Sequence, residues 1–192
     1  MSSPLDGLDR LGARAQRPAN RLRIDAEVLA KLEAAIHGQV EPAYRDFLLE
    51  HGGLGFDALV RFELPAGCPW GRSGILTELF GRFDGPGDLL TELAHSELGA
   101  GWLPIGRDPG GNLLVLRTQH VGGIWFWDHE ARPAAADVTS GDVVVTSSGE
   151  RLYRVAESFS AFLAGLDGRS WEDDGPWTTE GGQADREPGN CS

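Results

Sequence analysis

The chain has 192 residues, a formal net charge of −12, 41% apolar and 24% charged residues, 27 glycines and 11 prolines. That length holds one well-buried domain and is short for two, and so many glycines and prolines exclude an architecture of long helices. The acidic balance argues against nucleic acid, whose phosphates need clustered Lys and Arg, and two cysteines, Cys68 and Cys191, supply neither a disulfide framework nor the thiols of a structural zinc site.

Residues 1–20 mix Ser, Pro, Gly, Asp and Arg without an apolar period and read as a flexible leader to a domain over 21–168. Met1 to Asp6 lacks the basic segment and apolar core of a signal peptide, and no apolar run approaches the roughly 20 residues of a membrane span. A reducing cytoplasm and no membrane partner are expected. Basic charge comes almost wholly from Arg, with Lys31 the single lysine, a usage that suits a GC-rich bacterial coding sequence.

The first helix is signalled by Asp25 as its cap, by Ile24 and Leu29 placed as a hydrophobic staple, and by the stripe Val28, Leu29, Leu32, Ala35 and Ile36, with Gly38 expected to stop it. Pro42 suits the first turn of a second helix carrying Tyr44, Phe47, Leu48 and His51 on one side, which Gly52-Gly53 ends. This helical hairpin needs a sheet to cover its stripes. Asp57 to Leu64 alternates as a first strand, Pro65 to Ser73 is a loop carrying Cys68 and Trp70, and Ile75 to Phe80 fits strand or helix. Asp88 caps a short helix that ends near Gly99.

Trp102 to Leu116 and Gly123 to Glu130 hold three apolar runs separated by Pro109-Gly110-Gly111-Asn112 and by Gly122-Gly123, the pattern of a three-stranded antiparallel meander. Along Ile124 to Asp128, Trp125 and Trp127 point to one face and Ile124 and Phe126 to the other, so this strand is central. Val143 to Thr146 and Leu152 to Val155 are short extended pieces, and Ser158 caps a last helix with Phe159, Phe162, Leu163 and Leu166 on one face. Residues 169–192 read as a disordered acidic tail.

Four candidate chemistries sit on this frame. Gly106 to Asn112 is glycine-rich, but a phosphate-cradling loop needs a terminal Lys-Ser/Thr pair and a helix behind it, so a hairpin turn is the better reading. Asp128-His129-Glu130 could bind metal or move a proton with help from His51 or His95, yet neighbours on a strand face opposite ways and no His or Cys spacing completes a ligand set. Cys68 beside Pro69 has no reason to be a thiolate, and no nucleophile elbow occurs. The tryptophans Trp70, Trp102, Trp125 and Trp127 serve as core first and as binding anchors second. Nothing in the chain reads as an enzyme, and no metal or cofactor is expected.

The order of these motifs carries a resemblance. Tyr44-Arg45-Asp46-Phe47-Leu48-Leu49-Glu50-His51 runs into Gly52-Gly53, then come Leu103-Pro104-Ile105-Gly106 with Gly110-Gly111-Asn112, then Ile124-Trp125-Phe126-Trp127-Asp128-His129-Glu130, then Ala156-Glu157-Ser158-Phe159-Ser160-Ala161-Phe162-Leu163. Over about residues 25–166 this resembles the SUKH superfamily, which includes a yeast cell-wall assembly regulator and many bacterial immunity proteins. The resemblance implies an α+β fold, here a mainly antiparallel sheet of about five or six strands with an N-terminal helical hairpin and a C-terminal helix packed on it. It implies protein binding with no catalytic residues: an immunity protein neutralising a cognate polymorphic toxin, such as a nuclease, which a charge of −12 suggests is basic. The alternative is a regulatory protein-binding scaffold unrelated to toxins. Asp108, Asn112, Trp125, Trp127, Asp128, His129 and Glu130 are the expected partner-binding residues. The segment from Pro65 to Pro86 reads as an insertion, and neither it nor the acidic tail has a place in the family pattern.

Overall fold

The computed structural model describes residue 8 and residues 11–15, 22–85, 87–96, 98–119, 122–130, 143–145 and 151–169. Helix α1 (Ala26–Ile36) starts where expected: the Asp25 carboxylate accepts from the N–H groups of Glu27 and Val28 at 3.1 and 3.0 Å, and Ile24 and Leu29 are both buried beside it. It ends at Ile36, with the cap at His37, one residue before Gly38. His37 takes the left-handed conformation, φ 53°, and the N–H groups of His37 and Gly38 return to the carbonyls of Ala34 and Glu33. Gly38 is small for another reason, since a Cβ there would lie 3.0 Å from Thr118 Oγ1.

Helix α2 (Pro42–Glu50) has Pro in its first turn and buries Tyr44, Phe47 and Leu48. Its first turn lacks a side-chain cap of its own. Instead Glu41, just before it, reaches to α4 (Phe159–Gly165) and accepts from the Phe159 N–H at 3.0 and 3.1 Å, while Ser158 Oγ accepts from the Ala161 N–H. The Phe159 ring lies edge-on to Tyr44 at 4.9 Å and against Phe47 at 5.3 Å, so polar and aromatic contacts join the two helices at one corner.

The sheet is antiparallel throughout, ordered β1-β2-β3-β4-β5-β6-β8-β7. These strands are β1 (Ala13–Ala15), β2 (Leu54–Glu63), β3 (Ser73–Leu79), β4 (Trp102–Arg107), β5 (Leu113–Arg117), β6 (Ile124–Trp127), β7 (Val143–Val145) and β8 (Arg151–Ala156). A ninth, β9 (Asp167–Arg169), pairs with Leu59 to Arg61 of β2, while β1 pairs with Leu54 to Phe56 of the same strand. α3 (Leu89–His95) precedes β4 and is capped by Asp88.

The expectation of five or six strands is therefore too low; nine are present among the described residues. β1, β7 and β9 hold three residues each, too few to show alternation, and are extended because longer strands pair with them. β1 lies inside the stretch read as a leader, and Leu8 and Leu11 before it join the core. β3 lies inside the stretch read as an insertion, where it resolves the strand-or-helix choice and joins β2 to β4.

The meander forms as expected, β4-β5-β6, with all four residues of β6 buried. Phe126 faces Phe62, and Phe62 faces Phe162 of α4, each pair at 6.0 Å. On the opposite face Trp102 and Trp125 meet edge to face at 6.0 Å, with the guanidinium of Arg117 over Trp102 and that of Arg154 over Trp125. No helix among the described residues is long and apolar enough to cross a membrane.

Candidate functional site

Register brings two turns together. Leu113 of β5 pairs with Trp127 of β6, which sets the β4–β5 turn, Asp108 to Asn112, beside the turn that leaves β6, Asp128 to Glu130. Asp108 organises the first turn. Its N–H donates to the Asn112 carbonyl at 3.0 Å, and its carboxylate accepts from the Asn112 N–H and from Nδ2, both at 2.8 Å. Gly111 supplies the positive φ, 92°, that this closure needs.

Asn112, only 1% exposed, joins the two turns. With Nδ2 committed to a carboxylate, Oδ1 is the acceptor. It receives the His129 N–H at 3.3 Å and lies 2.9 Å from His129 Nδ1, so Nδ1 carries the ring proton. Asp128 is also buried: Oδ1 accepts from the Glu130 N–H at 2.9 Å and Oδ2 from the Trp70 indole at 2.8 Å.

The sequence-derived residues thus divide in two. Asp108, Asn112, Asp128 and His129 come together as one clasp, in which Asp128 and His129, in the turn after β6, reach different partners. Trp125 and Trp127 are buried in the sheet behind it, whereas His129 and Glu130 are exposed. Of the other histidines considered, His51 sits at the end of α2 against Phe47 and His95 ends α3. No group of three or more His, Cys, Asp or Glu side chains stands ready for a metal ion among the described residues.

Cys68 is buried, and its thiol is pushed up from its ordinary value first by that burial and then by the charge of Asp128, against a lowering backbone hydrogen bond from Trp70. Those shifts keep it a thiol. Trp70 is the residue that sequence reasoning left out of the site. It lies 58 positions from Asp128 in a loop without apolar periodicity, so no local signal joins the two.

Two other features lie on different surfaces. Arg107 pairs with Glu78 and stacks over Phe80, with Glu92 at 3.6 Å, fastening α3 to the sheet. An open groove of about 540 Å³ separates α1 from α3, lined by Lys31, His37, Leu90 and Leu93, and Lys31 is already paired with Glu27.

No curated protein and no solved structure matches the chain. The pattern of the SMI1 / KNR4 family (SUKH-1) matches residues 23–165, from just before α1 to the last residue of α4, a span that takes in both helices of the hairpin, the whole meander and the two clasped turns. A match over most of the chain, with the helices and sheet in the expected order, shows that the protein belongs to the SMI1 / KNR4 family (SUKH-1).

Proposed function

We propose that the protein is an immunity protein that binds and neutralises a cognate bacterial polymorphic toxin in the cytoplasm. Family membership over residues 23–165 carries this reading, since the family is generally one of non-enzymatic binding proteins. The clasp supports it. Its carboxylates accept hydrogen bonds from Asn112, Trp70 and backbone N–H groups, and its buried polar atoms hold the chain in shape. Such a set makes a rigid surface rather than a proton-transfer pair. In this reading Asp108, Asn112 and Asp128 set the two turns, Trp125 and Trp127 back them, and His129 and Glu130 meet the partner.

The net charge of −12 favours a basic toxin, for which a nuclease is the natural candidate, because opposite charge raises the rate of encounter and selects against like-charged partners. Neutralisation then works by occupancy of the toxin's active face, without turnover. The test is to express the open reading frame neighbouring this gene alone and together with it: cells producing the neighbour alone should die and those producing both should grow. Equal killing with and without this protein overturns the reading.

A further inference from the structure

The geometry points to Trp70 as a preorganised anchor that receives a cationic side chain of the partner protein, with Glu130 as its acidic companion. This rests on the immunity reading above and names the chemistry of the contact.

Trp70 is 48% exposed, and the other large apolar side chains exposed to a comparable degree among the described residues are Leu22 and Leu49. An exposed indole normally moves among rotamers, but this one is held. Its Nε1–H donates to Asp128 Oδ2 at 2.8 Å, and that carboxylate is buried and tied through Oδ1 to the Glu130 N–H. The loop beneath is closed as well: Leu64 N–H donates to the Arg72 carbonyl at 2.9 Å, Cys68 N–H to Pro65 and Gly71 N–H to Cys68, each at 3.2 Å, with the Cys68 side chain buried below. A ring fixed before binding loses little freedom on binding, which is what distinguishes an anchor from an incidental surface aromatic.

Charge selects the occupant. The indole N–H donates to an anion, which adds electron density to the ring face, and an electron-rich face attracts a guanidinium or ammonium group. Glu130, exposed and with its N–H held by the same Asp128 carboxylate that holds Trp70, supplies a negative charge in the adjoining turn, and the chain as a whole carries −12. An Arg or Lys placed over Trp70 and beside Glu130 meets both attractions. An apolar or acidic partner residue meets at most one.

The experiment compares the wild type with Trp70→Ala, Trp70→Phe and Glu130→Gln for binding to the co-encoded toxin by titration calorimetry, after thermal melting has confirmed that each variant is folded. Trp70→Ala should weaken Kd about 30-fold or more, the size of a hot-spot loss. Trp70→Phe keeps an aromatic face but gives up the bond to Asp128, with the fixation and electron density it brings, and should fall between the wild type and Trp70→Ala. Glu130→Gln should flatten the decline of affinity with salt. Equal losses for Ala and Phe would mean that Trp70 acts only through the Asp128 turn, and that overturns the proposal. So does an unchanged Trp70→Ala, or an unchanged salt dependence in Glu130→Gln, while a wild type that still protects cells leaves the immunity reading standing. A wild type that neither binds nor protects overturns both.

Discussion

Replacing Asn112 with Ala removes three side-chain contacts at once. The donation from Nδ2 to Asp108 is made to a charged acceptor, a class of bond that contributes about 1.5–3 kcal/mol, and the two His129 contacts at Oδ1 are neutral and contribute about 0.5–1.5 kcal/mol each. Asp108 keeps the Asn112 backbone N–H, and exposed His129 can turn to water, so part of the loss is recovered. A net destabilisation of about 3 kcal/mol follows, read in urea as a lower midpoint at unchanged slope. For a chain of this size that corresponds to a melting temperature lower by about 6–12 °C. Asn112→Asp has nearly the same shape but loses the donor and sets two carboxylates together. It should be less stable than Asn112→Ala at neutral pH, because one carboxyl of the pair is held above its unfolded value. The missing stability should return as pH falls toward the ordinary carboxylate range. A loss below about 0.5 kcal/mol for Asn112→Ala, within the range of ordinary surface substitutions, would refute the idea that this side chain joins the turns.

Gly81→Ala should prevent stable folding or lower the melting temperature sharply, because its Cβ would occupy the space of the Gly52 carbonyl and lie 2.6 Å from Gly53 Cα, both backbone atoms that cannot swing aside; circular dichroism melting checks it. Glu41 and Glu33 should respond to pH with opposite signs. Burial holds Glu41 above its ordinary value, against the Phe159 hydrogen bond, so its contribution is present below the unfolded pKa and is lost as pH rises through the folded one. Glu41→Gln, which keeps an acceptor, should therefore gain on the wild type as pH rises above the ordinary carboxylate range. Glu33 is held low, first by its hydrogen bond from Arg45 and then by the Val40 N–H, so its stabilisation is present above the unfolded pKa and fades as pH falls, and Glu33→Gln should converge on the wild type in acid. Parallel slopes in the two series would contradict one of the two assignments. In a Cys191→Ser background, Cys68 should react with a disulfide reagent at neutral pH at least about tenfold more slowly folded than denatured, and equal rates would count against its raised pKa.

What could be read without coordinates is what local chemistry decides. Asp25, Asp88 and Ser158 announce helix starts because each carboxylate or hydroxyl accepts from N–H groups two or three residues on. The meander is legible because glycine and proline mark its turns and the runs between them are apolar. β1 and β9 were hidden since their extension is imposed by the two ends of one long edge on β2. The close of α1 was displaced by one residue because His37 tolerates a left-handed backbone while Gly38 is needed against Thr118. In the site, Asp108 and Asn112 could be read as turn residues, but that Asn112 also serves His129 depends on the pairing of Leu113 with Trp127. Trp70 reaches Asp128 only through the folded loop.

That dependence also gives the clasp a physical purpose. Leu113 to Leu116 and Ile124 to Trp127 are buried on both faces. In a strand with one wet face a slip of one residue exposes its whole apolar set, so burial alone fixes the register; a strand apolar on both faces has no such safeguard. Here a slip would exchange Trp125 and Trp127 with Ile124 and Phe126 at little cost in apolar area, and something directional must oppose it. The contacts from His129 to Asn112, whose amide is fixed in turn by Asp108, are directional, and they stand where the two strands meet their turns. A shifted register would leave the buried Asn112 Oδ1 without the His129 N–H and Nδ1, a cost of about 1–3 kcal/mol in a site closed to water. The polar residues at the end of the most apolar strands therefore select one pairing among several that hydrophobic burial would accept, and that selection is what holds Asp128 beneath Trp70 and Glu130.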